Sequence, residues 1–127
     1  MRIGALKVKL QFLCGDTLAF GPGKADLLDA IAAQGSISAA GRTLGISYRR
    51  CWLLVDEMNR CFAEPLVETA PGGGNPRGAW LTETGKEVLA AYRALEAASA
   101  ELGAHEAYGA IADALLTAPR PGKETQT

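Results

Sequence analysis

Residues 35–65, GSISAAGRTLGISYRRCWLLVDEMNRCFAEP, leave the chain few options. Ser36 is placed as an N-cap, because a serine hydroxyl accepts from an otherwise unpaired N–H of the first helical turn. The helix it opens, 37–44, ends at Gly45, which tolerates the left-handed backbone of a tight turn. Ser47 caps a further helix that reaches 62 or 63, and Pro65 bars it from continuing. Two helices separated by so short a break must cross closely. Ala40 and Gly41 are small enough to allow that approach, while Ile46, Cys51 and Leu54 close the core between them. The segment reads as a helix-turn-helix.

The flanks complete the architecture. Residues 6–13 alternate Leu6, Val8, Leu10 and Phe12 with Lys7, Lys9 and Gln11, the period of two of a half-buried strand. "CGDT" reads as a turn and "LAFG" as a returning strand, giving an N-terminal hairpin over 6–21 that Pro22 and Gly23 stop. A first helix over 24–34 carries Leu27, Leu28, Ile31 and Ala32 at helical spacing and stops at Gly35. Beyond Pro65, "LVET" and "AWLT" read as strands either side of "APGGGNPRG", a hairpin tip rich in turn residues. From Thr82 about twenty residues read as helix, with Leu81, Val88, Tyr92, Leu95 and Leu102 spaced along one stripe. A weaker helix follows Gly103.

The fold class expected is mainly α with small β-hairpins, a winged helix-turn-helix with a long C-terminal helix. The expected divisions are a winged domain over 1–81 (hairpin 6–21, recognition helix 47–63, wing 64–82), a helical dimerisation arm over 82–117, and a disordered tail over 118–127. Val88, Tyr92, Leu95 and Leu102 are the expected dimerisation residues, because their stripe exceeds what a three-helix core needs to cover; the stripe taken alone could equally be core.

Composition narrows the function. A chain of 127 residues, 48% apolar and 21% charged, is one globular domain that needs no metal or disulfide to fold. No apolar run approaches the ~20 residues of a membrane span, and Lys7 and Lys9 interrupt any signal-peptide core. A cytoplasmic protein without membrane contact is the default. Cys14, Cys51 and Cys61 form no CxxC pair. On one helix, Cys51 and Cys61 stand roughly 15 Å apart, too far to share a bond or a metal. All three read as small buried residues, with effector sensing through them a lesser alternative. One histidine, no phosphate-loop motif and no credible carboxylate pair argue against an enzyme, and no cofactor is expected.

The net charge of −1 conceals an asymmetry: residues 1–35 and 36–81 each carry +1, and residues 82–127 carry −3. The region of the two helices is therefore not acidic. On a helical wheel of 47–63, Cys51, Leu54, Val55, Met58 and Phe62 form the core stripe. Arg49, Leu53, Asp56 and Arg60 point away from it; Arg50 and Glu57 lie on one shoulder, and Tyr48, Trp52 and Asn59 on the other. A recognition helix offers its first turns to the major groove. Arg49 is then placed for a bidentate contact with guanine and Arg50 for a phosphate. Ser36, Ser38 and Ser47, beside two helix N-termini, are placed for further phosphates, and Arg77 at the wing tip for the minor groove or backbone. The competing reading makes these arginines a solvated face and the serines simple caps. A protein-interaction module that kept the winged fold without DNA binding is the alternative function.

The strings "GSISAAGRTLGISYRRCWLLVDEMNR", "PLVE", "GGG" and "GAWLTETG", with a helix bearing Leu89 and Tyr92, resemble the N-terminal domain of the ModE family, molybdate-responsive bacterial transcription regulators. The resemblance covers about residues 20–100. It implies a homodimer reading a palindromic operator in double-stranded DNA, with contacts from Ser47, Tyr48, Arg49 and the wing. Full-length members carry two molybdate-binding domains after the long helix. Here the sequence stops at Thr127, so direct molybdate sensing is not expected, and any effector-sensing partner is unknown. Cys51 stands where the family usually has a small residue such as Ala, and Asn75 and Pro76 interrupt the wing's glycine run.

Overall fold

The computed structural model describes residues 1–70 and 78–122. Two small hairpins open the chain: β1 (Arg2–Ile3) pairs with β2 (Leu6–Lys7), and β3 (Phe12–Cys14) pairs with β4 (Thr17–Phe20), both antiparallel. Three helices follow, α1 (Pro22–Gln34), α2 (Ile37–Leu44) and α3 (Tyr48–Cys61). The strands β5 (Val67–Thr69) and β6 (Ala79–Leu81) form the base of a wing. The chain then runs through α4 (Glu83–Ala98), a 3-10 turn (Ser99–Ala104) and α5 (Glu106–Ala112). The mainly α winged helix-turn-helix expected from the sequence is the fold observed.

The core is one cluster shared by β4, the three helices, the wing base and α4. Phe20 from β4, Leu27, Leu28 and Ile31 from α1, Val55 and Met58 from α3, and Leu66, before β5, are buried, and Tyr92 of α4 closes it. Phe20 is the hub, meeting Phe62 and Tyr92 edge-on at centroid distances of 6.2 and 5.0 Å. That geometry suits the opposed charge of ring edges and faces.

Several local expectations are corrected. The strand over 6–13 is broken. Burial still alternates from Leu6 to Gln11, but only Leu6–Lys7 and Phe12–Cys14 pair, and Phe12 turns outward beside a register shift. Pro22 does not stop the hairpin from outside the helix. It is the first residue of α1, where its missing N–H costs nothing. Ala32 is exposed. The long helix gives way at Ser99 to 3-10 geometry. Of the cysteines, only Cys51 is buried; Cys14 is exposed and Cys61 half-buried. Tyr92, assigned to the dimerisation stripe, is 2% exposed within its own chain, and its hydroxyl donates to the Leu10 carbonyl at 2.8 Å. Leu95 and Leu102 are the members of that stripe left exposed. Residues 118–122 of the expected tail lie outside any helix or strand.

Two ionic ties hold the helices in register. Lys24 of α1 is 2% exposed, and its ammonium reaches Oε1 of Glu57 on α3 at 2.6 Å while donating to the Leu18 carbonyl of β4. On α4, Arg93 bridges Asp26 (3.0 Å) and Asp29 (2.5 Å) of α1 and also Glu96 (2.8 Å). Partial burial alone would loosen the Arg93 proton, but the bonds to Asp29, Glu96 and Asp26 outweigh it and raise the pKa. Removing one partner of the Lys24 pair leaves a buried charge with a single carbonyl acceptor. We expect Glu57→Ala to cost about 1–2 kcal/mol in urea unfolding, below the usual range for buried pairs because Glu57 is partly solvated. Adding Lys24→Met should recover part of that loss; equal midpoints for Glu57→Ala and wild type would refute the structural role.

Candidate nucleic-acid interface

The two helix starts form as the serines require. Ser36 Oγ accepts from the Ala39 N–H at 3.0 Å, and Ser47 Oγ accepts from the Arg50 N–H at 3.0 Å. Between them Gly45 adopts φ 72°, and the Ile46 N–H returns to the Gly41 carbonyl at 3.0 Å. Gly41 marks the crossing itself: a Cβ there would lie 3.0 Å from Cys51 Sγ and 3.0 Å from the Ile46 carbonyl oxygen. The crossing thus sets how α3 is aimed. Burial pushes the Cys51 thiol pKa up, as suits a packing residue.

The core stripe of α3 buries Cys51, Val55 and Met58 and half-buries Leu54 and Phe62. Its opposite face carries Arg49, Leu53, Asp56 and Arg60, all exposed. These four are not equivalent. Arg60 is held by Asp56 at 3.0 Å, an i,i+4 ion pair. Among the described residues, Arg49 and Arg50 have no side-chain hydrogen bond or ion pair. The first turn of α3 therefore presents two uncommitted guanidinium groups, and Leu53, 50% exposed, lies one turn on from Arg49.

Beside that turn runs a shallow groove shared by Ser36, Ser38, Tyr48, Trp52 and the wing-base residues Thr69 and Gly78. Tyr48 is 58% exposed and meets Trp52 edge-on at 6.1 Å, so the aromatic pair forms one wall. Ser38 lies on the first turn of α2, and its Oγ accepts from Arg42 Nη1 at 3.3 Å. Ser36, Ser38 and Tyr48 thus come together in this groove. Ser47 opens the α3 turn that carries Arg49 and Arg50. Arg77 lies outside the described residues.

The wing base is fastened to the helices by the backbone. The Ala79 N–H donates to the Gly35 carbonyl at 2.9 Å, which ties β6 to the turn between α1 and α2. Asn59 of α3 accepts from the N–H groups of Leu66 (2.8 Å) and Val67 (3.2 Å) and donates to the Val67 carbonyl at 3.0 Å. One amide side chain therefore sets β5 relative to the recognition helix.

Sequence reading missed three of these participants. Asn59 appeared only as a shoulder residue, and nothing short of tertiary contact reveals an amide that satisfies a neighbouring strand. Arg42 was given no role, although its i,i+4 spacing from Ser38 is visible in the sequence. Trp52 was placed on the same shoulder as Tyr48 without a role. Among the described residues, no group of three or more His, Cys, Asp or Glu side chains is arranged to hold a metal, and no helix is long and apolar enough to cross a membrane.

Comparison with known proteins gives relatives of one kind. The chain is 50% identical over 76 residues to the molybdenum-pterin-binding protein MopB of Rhodobacter capsulatus, a match covering 60% of this chain and 28% of that protein. It is 43% identical over 70 residues to the molybdenum transport protein ModE of Azotobacter vinelandii (55% of this chain, 26% of that one). It is 39% identical over 87 residues to the DNA-binding transcriptional dual regulator ModE of Escherichia coli K12 (68% and 32%). The chain therefore spans less than a third of the length of these relatives. No protein-family model matches it.

Proposed function

We propose that this chain, which belongs with the ModE proteins and their molybdenum-pterin-binding relatives over up to 87 of its residues, is a sequence-specific binder of double-stranded DNA that regulates transcription as a homodimer. The observation that carries the proposal is the first turn of α3. There Arg49 and Arg50 stand exposed and free of carboxylates among the described residues, next to two serine-capped helix starts. A positive, outward-facing helix start is what a major groove receives. The guanidinium fork of Arg49 matches the O6 and N7 acceptors of guanine. Arg50, on the shoulder, takes a phosphate, and so do the hydroxyls of Ser36, Ser38 and Ser47. Each of those hydroxyls accepts a hydrogen bond within the protein and keeps its own proton to donate. Tyr48 lies at the groove edge against the same strand of DNA, and Arg77 extends the contact from the wing.

The homodimer rests on the exposed apolar residues of the C-terminal part. Leu95 and Leu102, each about half exposed, with half-buried Val88, form the strip that a second copy covers. Two recognition helices related by a twofold axis then read a palindrome. Catalysis has no part in this reading.

The test is selection of genomic fragments by the purified chain, followed by titration of the best fragment and a shuffled copy at several salt concentrations. Sedimentation of the free and bound protein gives the stoichiometry. The expected result is two chains per palindromic fragment, bound at least 10³-fold more tightly than shuffled DNA. Equal affinity for both DNAs at physiological salt would overturn the proposal in favour of a protein-interaction module.

A further inference from the structure

An apolar groove of about 320 Å³ opens between the β3–β4 hairpin, the end of α3 and one face of α4. Its walls are hydrocarbon and aromatic, with Phe12, Phe62 and Tyr92 prominent, and it contains two of the three cysteines. Cys14 ends β3 and Cys61 ends α3, so residues 47 apart in sequence share one surface. The approach is built in. The β4 strand packs on α3; Cys14 pairs with Thr17 of that strand, and Phe20 further along it meets Phe62, the residue after Cys61, at 6.2 Å. Cys14 is exposed and Cys61 half-buried. Burial first, and then the Cys14 thiol beside it, push the Cys61 pKa up. Cys51, about three turns before Cys61, is sealed against Gly41.

We propose that Cys14 and Cys61 are a modification site: a vicinal thiol pair that a peroxide oxidises to an intramolecular disulfide. The exposed Cys14 thiolate attacks the peroxide O–O bond, forming the Cys14 sulfenic acid and releasing the second oxygen as hydroxide, or as water after protonation. The Cys61 sulfur then attacks the Cys14 sulfur. The S–O bond breaks, the hydroxyl leaves as water with the Cys61 proton, and the S–S bond forms. Overall two thiols lose two protons and two electrons, and one hydrogen peroxide takes them up to become two waters. The division of roles follows from access. The outer thiol meets the oxidant, and the inner one, poorly ionised and shielded, waits as the resolving thiol. The product staples the N-terminal hairpin to the C-terminal end of α3 across a long loop. A thiol reductant reverses it by exchange. The pair lies at the end of α3 away from Arg49 and Arg50 and does not depend on DNA binding; Val88 and Leu95 of the proposed dimer strip line the same groove, so the oxidation is that of the chain with this groove uncovered.

The experiment treats the full chain with a small excess of hydrogen peroxide at neutral pH, traps free thiols with N-ethylmaleimide under denaturing conditions, and reads intact mass and linked peptides. The expected product has the mass of a single chain with one internal Cys14–Cys61 linkage, Cys51 alkylated, and complete reversal by dithiothreitol. Its melting temperature should lie above that of the reduced chain. Cys14→Ser and Cys61→Ser should each abolish the linkage while melting close to reduced wild type, since neither position is fully buried. In Cys61→Ser, the Cys14 sulfenic acid should persist long enough for capture by dimedone. Alkylation of Cys61 in full after Cys14 has been oxidised, or a product linked between chains through Cys14, would overturn the proposal.

Discussion

Replacing Arg49 with alanine is expected to lower affinity for the selected DNA by about 10- to 100-fold per half-site, while affinity for shuffled DNA falls far less. The size follows from what a bidentate arginine–guanine contact contributes, about 1–3 kcal/mol of discrimination. The assignment rests on how the charges of α3 are distributed. Arg60 shares the outer face but is three turns away and already held by Asp56. Arg50 follows Arg49 directly and is rotated by about 100° from it. Arg50→Ala should therefore weaken every DNA alike and reduce the slope of log affinity against log salt by about one. The two variants separate base reading from backbone binding on adjacent residues of one helix turn. Fluorescence anisotropy with specific and shuffled duplexes at four or five salt concentrations gives both quantities. If Arg49→Ala and Arg50→Ala lose affinity equally on both duplexes, the base contact is elsewhere, and Leu53 and the Tyr48–Trp52 pair become the next residues to replace.

The helix-turn-helix was legible because its signals are local. A capping serine, a turn glycine and a blocking proline act within a few residues of themselves, so α2 has the bounds its sequence predicts and α3 falls within a residue or two of them. The core stripe of α3 was equally local, being a matter of helical period. The N-terminal strand was not legible. Alternation predicted its inward and outward faces up to Gln11, but pairing partners and register are decided by what the strand packs on. Tyr92 shows the same limit in another form. Its spacing places it on the apolar face of α4, yet spacing does not say whether that face meets its own chain or another. Lys24 is the strongest case. In a helix otherwise read from Leu27 and Ile31, nothing local marks a lysine that tertiary contact buries against Glu57 and Leu18. The candidate site divides along the same line. The residues of one helix turn could be named from sequence. The groove that joins Ser36, Ser38, Tyr48 and Thr69 depends on where the wing base sits, and that is set by Asn59 and by Gly35.

The same dependence gives the largest stability effect expected in the chain, at Gly85. This glycine lies in the first turn of α4, where its N–H donates to the capping hydroxyl of Thr82 at 2.9 Å. Thr82 in turn donates from its backbone to Leu66 (3.0 Å) and from its hydroxyl to Pro65 (2.7 Å). The helix start is thereby drawn onto the backbone that leads into β5. A Cβ at Gly85 would collide with the Leu66 carbonyl oxygen and stand 3.0 Å from its carbon. Two effects oppose each other in Gly85→Ala. Helix propensity favours alanine by about 1 kcal/mol. The collision is with the main chain of Leu66, whose side chain is fully buried, so no flexible side chain can yield. Either the cap or the β5 anchor must move, and we expect a net loss of about 3 kcal/mol or more. For a domain of this size, that is a fall in melting temperature of about 10 °C or more. Gly23→Ala is the matched control, since a Cβ there meets nothing within 4 Å and α1 should be unchanged or slightly stabilised. Thermal melts followed by circular dichroism decide it. A Gly85→Ala protein melting with wild type would mean that α4 does not start against Leu66, and that the wing base is held in some other way.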